Sequence, residues 1–599
     1  MRASRTLPLA LSLSALVGLW LPGRAAAVEL DFSGKIQTDL RLRPASIDVG
    51  PYYHQLGIGS GVALNQNLLR AKVVAKEGPF TGVADLEFVW LGYSREIESV
   101  TDLSRADKVN PYFLRVKGLF VEAKDLAVKG LDLKIGQQVV AWGAGDQFNP
   151  TNNLNSNDLY DPLLFGELVP NLMARVDYAF KGKWTLAGVL VPIFRPAILP
   201  GWGSIAMAFP DRVPLVDDGL RRRLQVEQAA IAGPLADALA QIGGTAPRYG
   251  TVVAGATPVL PDTSFKNLQG SVRLAGVIKE QDIALSYYAG RTDMPHPYLN
   301  VSRQVPGRIC DPLDASRCVD GTMQTSTYLG YPRMQVVGLN MSGQMNPFKW
   351  ISKKIESLGY RLEVGLFLPQ AASLTLLQDA IDMGSFYQQP AGEYAYGGKY
   401  VDASGNVIRH PNVVDSTPFL KWTLGLDYTF NEHLYANVQW VHGFVDEFGA
   451  GDFIHQGWYA ARGGITSQPA DTLVCLMAQS GNNCAREILR PRLGDYLVLG
   501  VDVKLREERV LLRLFTIWAL NGVVDDHYDE GKGRRVQTKR SMFTAEGFAA
   551  VIYPEFNYNF RNGLELGFGA LVMPGREHTK FGDPATGGHL VFGRARYSF

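Results

Sequence analysis

The chain has 599 residues, of which 46% are hydrophobic and 20% charged, with a net charge of +1. Disorder needs low hydrophobicity with high net charge, and a coiled coil needs an excess of Ala, Glu, Lys and Leu, so both are excluded. The near-neutral balance gives no pull toward nucleic acid, and none is expected as a partner.

Residues 1–27 read as an export signal. Arg2 and Arg5 form a basic start, Leu7 to Leu21 is mostly apolar, and Ala25, Ala26 and Ala27 supply the small residues of a cleavage site. The apolar stretch is too short to span a bilayer, and no later run reaches the length of a transmembrane helix. Removing the segment takes Arg2, Arg5 and Arg24 and no acid. Residues 28–599 are expected to form one unit.

From Val28 to Arg43 the chain alternates without a break. Val28, Leu30, Phe32, Ile36, Leu40 and Leu42 fall on one parity; Glu29, Asp31, Lys35, Asp39, Arg41 and Arg43 fall on the other. Period 2 is the mark of a strand with one apolar and one wet face, and ordinary strands are far shorter. A strand this long suits a tilted crossing of a membrane. The same pattern recurs, giving expected strands at 28–43, 64–76, 80–93, 111–124, 130–142, 171–181, 183–193, 266–279, 281–291, 332–345, 357–369, 417–430, 433–445, 493–506, 509–520, 545–560, 563–573 and 587–599. These eighteen strands, an even number, predict an all-β fold: a transmembrane antiparallel barrel with long outer loops. The links alternate between short and long, which a β-sandwich has no reason to do. Short periplasmic turns and long outer loops account for it, and the implied location is the Gram-negative outer membrane, with its lipid as a partner.

The link 143–170 is the candidate site. It is rich in Asn, Asp, Gly and Pro, residues that favour compact turns. An infolded loop lining the pore would use Gln138, Trp142, Asp146, Asn149, Asn152, Asn153 and Asp158, with Arg175 on the next strand. Trp142 follows the parity of Asp132 and Lys134 and so points to the lumen; the rival is a place in the lipid-facing aromatic girdle. Calcium is a second reading for these oxygens, without an EF-hand spacing to support it. The longest link, 194–265, holds Leu220, Leu224, Ile231, Leu235 and Leu239 at helical spacing, as a short lid or surface helix would. Cys310 with Cys318 and Cys475 with Cys484 lie in long outer links of an exported protein, so two local disulfides are expected. The wet faces carry somewhat more Lys and Arg than Asp and Glu. G-x-S-x-G, H-E-x-x-H and P-loop motifs are missing, so neither an enzyme nor a cofactor is expected.

Four segments carry a family resemblance. They are Gly136 to Gly143 with the loop to Asp161-Pro162, Asn267 to Leu274 leading to Tyr287-Tyr288, Trp422 to Tyr428 turning into Asn437 to Trp440, and the last strand ending Tyr597-Ser598-Phe599. Together they resemble a large proteobacterial outer-membrane family, porin-like and of unknown function. A weaker likeness runs to the barrels that export acidic polysaccharide such as alginate. The resemblance implies a channel or porin-like transporter for small or amphipathic solutes. Alternatives are a polysaccharide or lipid export or uptake barrel, and a surface barrel that binds a partner. The terminal Phe599 resembles the signal read by the barrel insertion machinery, an expected partner.

Overall fold

The computed structural model describes residues 28–46, 59–94, 97, 99–145, 147–164, 166–180, 182–199, 251–304, 308–311, 314–320, 323–346, 357–378, 381–382, 388–389, 391–393, 412–450, 458–461, 487–529, 532, 534–576, 578–583 and 586–599. The expected signal at 1–27 and the expected helix near 216–242 lie outside them.

Eighteen strands form one antiparallel sheet. In chain order they are β1 (Glu29–Arg43), β2 (Gly61–Glu77), β3 (Phe80–Leu91), β4 (Tyr112–Ala123), β5 (Leu131–Gln138), β6 (Asn171–Phe180), β7 (Trp184–Val191), β8 (Gln269–Ile278) and β9 (Gln281–Arg291). The second half is β10 (Arg333–Met345), β11 (Leu358–Pro369), β12 (Phe419–Asn431), β13 (Leu434–His442), β14 (Asp495–Leu505), β15 (Val510–Ala519), β16 (Ala550–Asn559), β17 (Leu564–Leu571) and β18 (Leu590–Ser598). Each strand pairs with its neighbours in sequence, and β18 pairs back onto β1 with Lys35 opposite Ser598 and Leu42 opposite Val591. The sheet is therefore a closed barrel without edges.

The seam is tight. Phe599 and Gly34 exchange two backbone hydrogen bonds of 2.9 and 3.0 Å. The Phe599 ring covers Gly34 so closely that a Cβ there would stand 2.7 Å from it. An aromatic ring laid over a strand glycine shields backbone that no side chain covers.

Facing follows the alternation. Leu30, Phe32, Leu40, Leu114, Leu186, Val272, Leu285, Leu420, Leu424 and Leu514 are exposed on the outer wall. Rings gather at two levels of that wall. Trp422 packs on Trp440, and Phe88 on Trp90 and Tyr112, toward the long-loop end. Tyr178–Phe180, Tyr428–Phe430, Tyr558–Phe560 and Tyr597–Phe599 pack near the short-turn end. From Trp422 to Phe430 along β12 the rise is about 26 Å at about 3.3 Å per residue, or roughly 20 Å of height at a tilt near 40°. An apolar belt between two aromatic girdles of that spacing is a transmembrane barrel in the outer membrane.

The strands differ from expectation mainly at their outer ends. β5 was expected to reach residue 142 but ends at Gln138. Gly136 has φ 135°, and beyond Gln138 the Val140 N–H donates to the side chain of Asn155 rather than to a strand. The alternation persists to Trp142, but the ladder partner is lost, and the ladder makes the strand. The long links also hold structure that their composition did not reveal. A five-stranded sheet joins Thr251–Pro258, His296–Gln304, Met323–Gly330, Thr375–Gln378 and Gly392–Glu393, and a four-stranded sheet joins Trp458–Ala461, Glu487–Pro491, Val523–Asp529 and Arg534–Arg540. Some pairings cross between links, as His296–Gln304 with Thr375–Gln378, and no local turn signal announces those; others, as Val523–Asp529 with Arg534–Arg540, stay within one link.

Candidate functional site

The luminal wall has two zones. Toward the short turns it is charged, and many of the charges are matched. Arg70 pairs with Asp85, Arg175 with Asp177, Arg361 with Asp427, Arg513 with Asp502 and Arg596 with Glu565, at 2.7–3.1 Å. Pairing across and along strands explains most of the mixed charge read from the sequence. Toward the long loops the same face is largely apolar: Val89, Leu91, Val189, Val191, Val336, Phe367, Val441, Val498 and Ile517 are all buried. Apolar luminal residues are buried only if something inside the barrel covers them, and loops do so.

The link between β5 and β6 crosses the lumen. Phe148 enters one apolar cluster with Val441, Phe444, Tyr496, Val498 and Ile517. Val140, Trp142 and Leu154 enter another with Met173, Val189, Val336 and Phe367. The far end of the crossing is pinned to β10, β11 and β12 by one carboxylate. Glu363, 1% exposed, accepts hydrogen bonds from Ala144 N (2.7 Å), Gly145 N (3.1 Å), Thr151 N (2.8 Å) and Thr151 Oγ1 (2.7 Å). Asn340 Nδ2 donates to Trp142 O at 2.6 Å, and Thr423 Oγ1 to Phe148 O at 2.8 Å. Asn340, Glu363 and Thr423 stand directly opposite one another on three adjacent strands, so they form one row on the luminal face.

Two wall glycines make room for the loop. Gly338 and Gly365 are cross-strand partners on β10 and β11. A Cβ on Gly338 would stand 2.7 Å from Thr151 Cγ2, and one on Gly365 would stand 3.2 Å from Pro150 O. The loop is internally tied as well: Asn155 donates to Gln138 O and Val169 O, closing its neck.

Its return limb reaches the opposite part of the wall. Arg41 holds Asp161 through two bonds of 2.6 Å and Asp39 through bonds of 3.0 and 3.2 Å. Lys117 bonds Glu167 at 2.8 Å. Burial works to raise the Asp161 carboxyl, but Arg41 outweighs it and holds the group below the usual carboxylate range. Burial raises Asp158 and Asp293, despite the backbone N–H groups that each accepts.

The site residues expected from the sequence separate in space. Gln138 is buried at the neck, donating to Met173 O. Trp142 is 4% exposed inside the barrel, with the Arg273 guanidinium 5.9 Å from its ring. It is not part of the lipid-facing girdle, although the strand that was to carry it stops short of it. Asn149, Asn152 and Asn153 border a cavity of about 90 Å³ on one side of the loop. Asp158 is buried in the return limb and Asp146 lies outside the described residues. Arg175 belongs to the paired inner zone, bonded to Asp177. The residues that hold the crossing, Glu363, Asn340, Thr423, Arg41 and Asp161, were not singled out. Among the described residues no three His, Cys, Asp or Glu side chains gather as a metal site would require. Cys310 stands opposite Cys318 in a short hairpin; Cys475 and Cys484 lie outside the described residues.

Residues 114–347 match the model of a family described as a protein of unknown function, DUF1302. The DUF1302 match runs from β4 into the segment after β10 and includes the whole crossing loop. Among solved structures the chain is similar to OccK9 (OpdG) of Pseudomonas aeruginosa, at 8% identity and a TM-score of 0.39 over 95% of this chain and 98% of that one. It is similar to OccAB4 of Acinetobacter baumannii, at 7% and 0.40 over 95% and 98%. A BenF-like porin from Pseudomonas fluorescens Pf-5 gives 10% and 0.39 over 95% and 98%. At these scores they stand as likenesses, and the barrel rests on this chain's own strand pairing. The comparison with curated proteins finds no match.

Proposed function

We propose that the protein is an outer-membrane channel in which the loop between β5 and β6 sets what passes, and that its role is transport rather than catalysis. The observation that carries this reading is the crossing itself, tied through Glu363 to the wall facing its origin. An eighteen-stranded ring is wide enough for an aqueous pore unless loops enter it. Here the loop narrows the pore and leaves a passage with apolar walls outside and paired charges inside. Such a passage favours small neutral or amphipathic solutes over strong ion selectivity.

Deletion of residues 146–160 should raise single-channel conductance in planar bilayers. A folded deletion variant with unchanged conductance would remove the loop from the mechanism.

A further inference from the structure

We propose that the cavity beside the crossing loop is a binding site for an apolar, ring-bearing acid, with Lys421 as the counter-ion of its carboxylate. This deepens the channel reading by naming a solute class.

Lys421 lies on the luminal face of β12, two residues before Thr423, and lines the cavity. It is 7% exposed. Its ammonium donates to Phe444 O at 2.7 Å and lies 5.6 Å from the Phe367 ring. No carboxylate comes within ion-pair distance of it among the described residues. An ammonium has three donors, and a buried charge without a partner is costly.

The acids around the cavity do not fill the gap, because each has its own partners. Asp446 takes Lys580 at 2.7 and 2.8 Å. Glu447 accepts from Phe444 N at 2.9 Å, Gly494 N at 2.8 Å, Lys580 Nζ at 3.2 Å and the Tyr496 hydroxyl. Asp293 accepts from Asn157 N at 2.8 Å and Asn157 Nδ2 at 2.9 Å. His296 is neutral at pH 7, since burial brings its pKa down to about 4. Among the described residues Lys421 is therefore a cation of this wall that no carboxylate holds, as Asp293 is a carboxylate that no cation holds.

One part of the wall suits a flat apolar body, beside the amide and carboxyl groups that line the remainder. Phe367 stacks on Phe419 at 5.0 Å, and Phe448 meets Phe419 and His296 edge-on at 5.0 Å. The backbone is shaped to hold the lysine stem in place. Gly443 has φ 82°, and a Cβ there would stand 2.8 Å from Lys421 Cγ.

The test uses the full barrel purified in detergent, with phenylacetate, 2-phenylethanol and phenethylammonium as probes. They share a ring and differ in the charge of the head. Calorimetry should find phenylacetate bound at least tenfold more tightly than the other two. Lys421→Met should abolish the preference and Lys421→Arg should keep it, both in heat-modifiable barrels. Equal affinities in the wild type, or an undiminished preference in Lys421→Met, overturn the site. If Lys421→Met does not fold, the wild-type series and Lys421→Gln decide. Conductance recorded in parallel separates the two claims. A barrel that prefers phenylacetate but passes no current keeps the site and loses the channel. One that conducts without the preference keeps the channel and loses the site.

Discussion

Replacing Glu363 by Gln should free the crossing loop from the far wall while leaving the barrel closed. The carboxylate serves four donors, two on each oxygen. Gln keeps one acceptor and turns an N–H₂ group toward two loop donors that need one. Hydrogen bonds to a charged group contribute about 1.5–3 kcal/mol each, so losing two costs about 3–6 kcal/mol. Even the lower figure changes the docked-to-undocked ratio roughly a hundredfold. The remaining ties, from Asn340 and Thr423, are neutral bonds of about 0.5–1.5 kcal/mol each. The assay is limited proteolysis within 139–170, with heat-modifiability reporting the barrel and current noise in bilayers reporting the loop. A Glu363→Gln protein with wild-type cleavage rate and a wild-type current trace would refute the latch.

Leu424 is 38% exposed on the lipid wall and Thr423 is 2% exposed under the loop. Leu424→Arg should cost about 2–4 kcal/mol if it lies near the midplane, seen as lost heat-modifiable barrel. Thr423→Arg should keep the barrel but displace the loop, seen as faster cleavage in 139–170; identical phenotypes would reject the facing. Mass mapping without reductant should find Cys310 joined to Cys318, since opposed strand residues lie within disulfide reach; free thiols in exported protein would count against it. Tags in 370–416 or 446–492 should be labelled on intact cells and tags at Asn431-Glu432 should not; labelling at that turn inverts the topology. Asp161 sits below the usual carboxylate range, so its tie to Arg41 is fully present above that range and is lost only as pH falls through the lowered value. Cleavage near residue 161 should stay slow at pH 5, and a rise there would show that Arg41 does not hold this limb.

The facing of the strands was readable because lipid on one side and lumen on the other impose period 2 on every residue between. That is why Leu424 and Thr423 could be assigned to opposite faces from the sequence. The end of β5 was not readable, because Val139 to Trp142 keep the alternation after their ladder is gone. The latch was invisible for a different reason. Residues 144 and 151 meet residue 363 only through the closure of the ring, and linear spacing carries no trace of it. Two signals were nevertheless present. Val89, Leu91, Val189, Val191, Val441 and Val498 are apolar on a face that should be wet, which means that something covers them. Gly338 and Gly365 remove side chains from that same face where the loop approaches. Charge counts showed a mixed, slightly basic face but not which charges pair, as Arg70 does with Asp85 and Arg361 with Asp427.

The seam between Gly34 and Phe599 sets a condition on how this protein is made. Strand β18 is the one that pairs back onto β1, so a stretch of chain that stops before it cannot be a finished barrel. Until β18 is in place, β1 has a bare row of amides and carbonyls, which hydrocarbon does not tolerate. Closure must therefore follow synthesis and crossing of the periplasm as a separate event. A truncation of even the last strand should leave a chain that is degraded or aggregated, not one that conducts poorly.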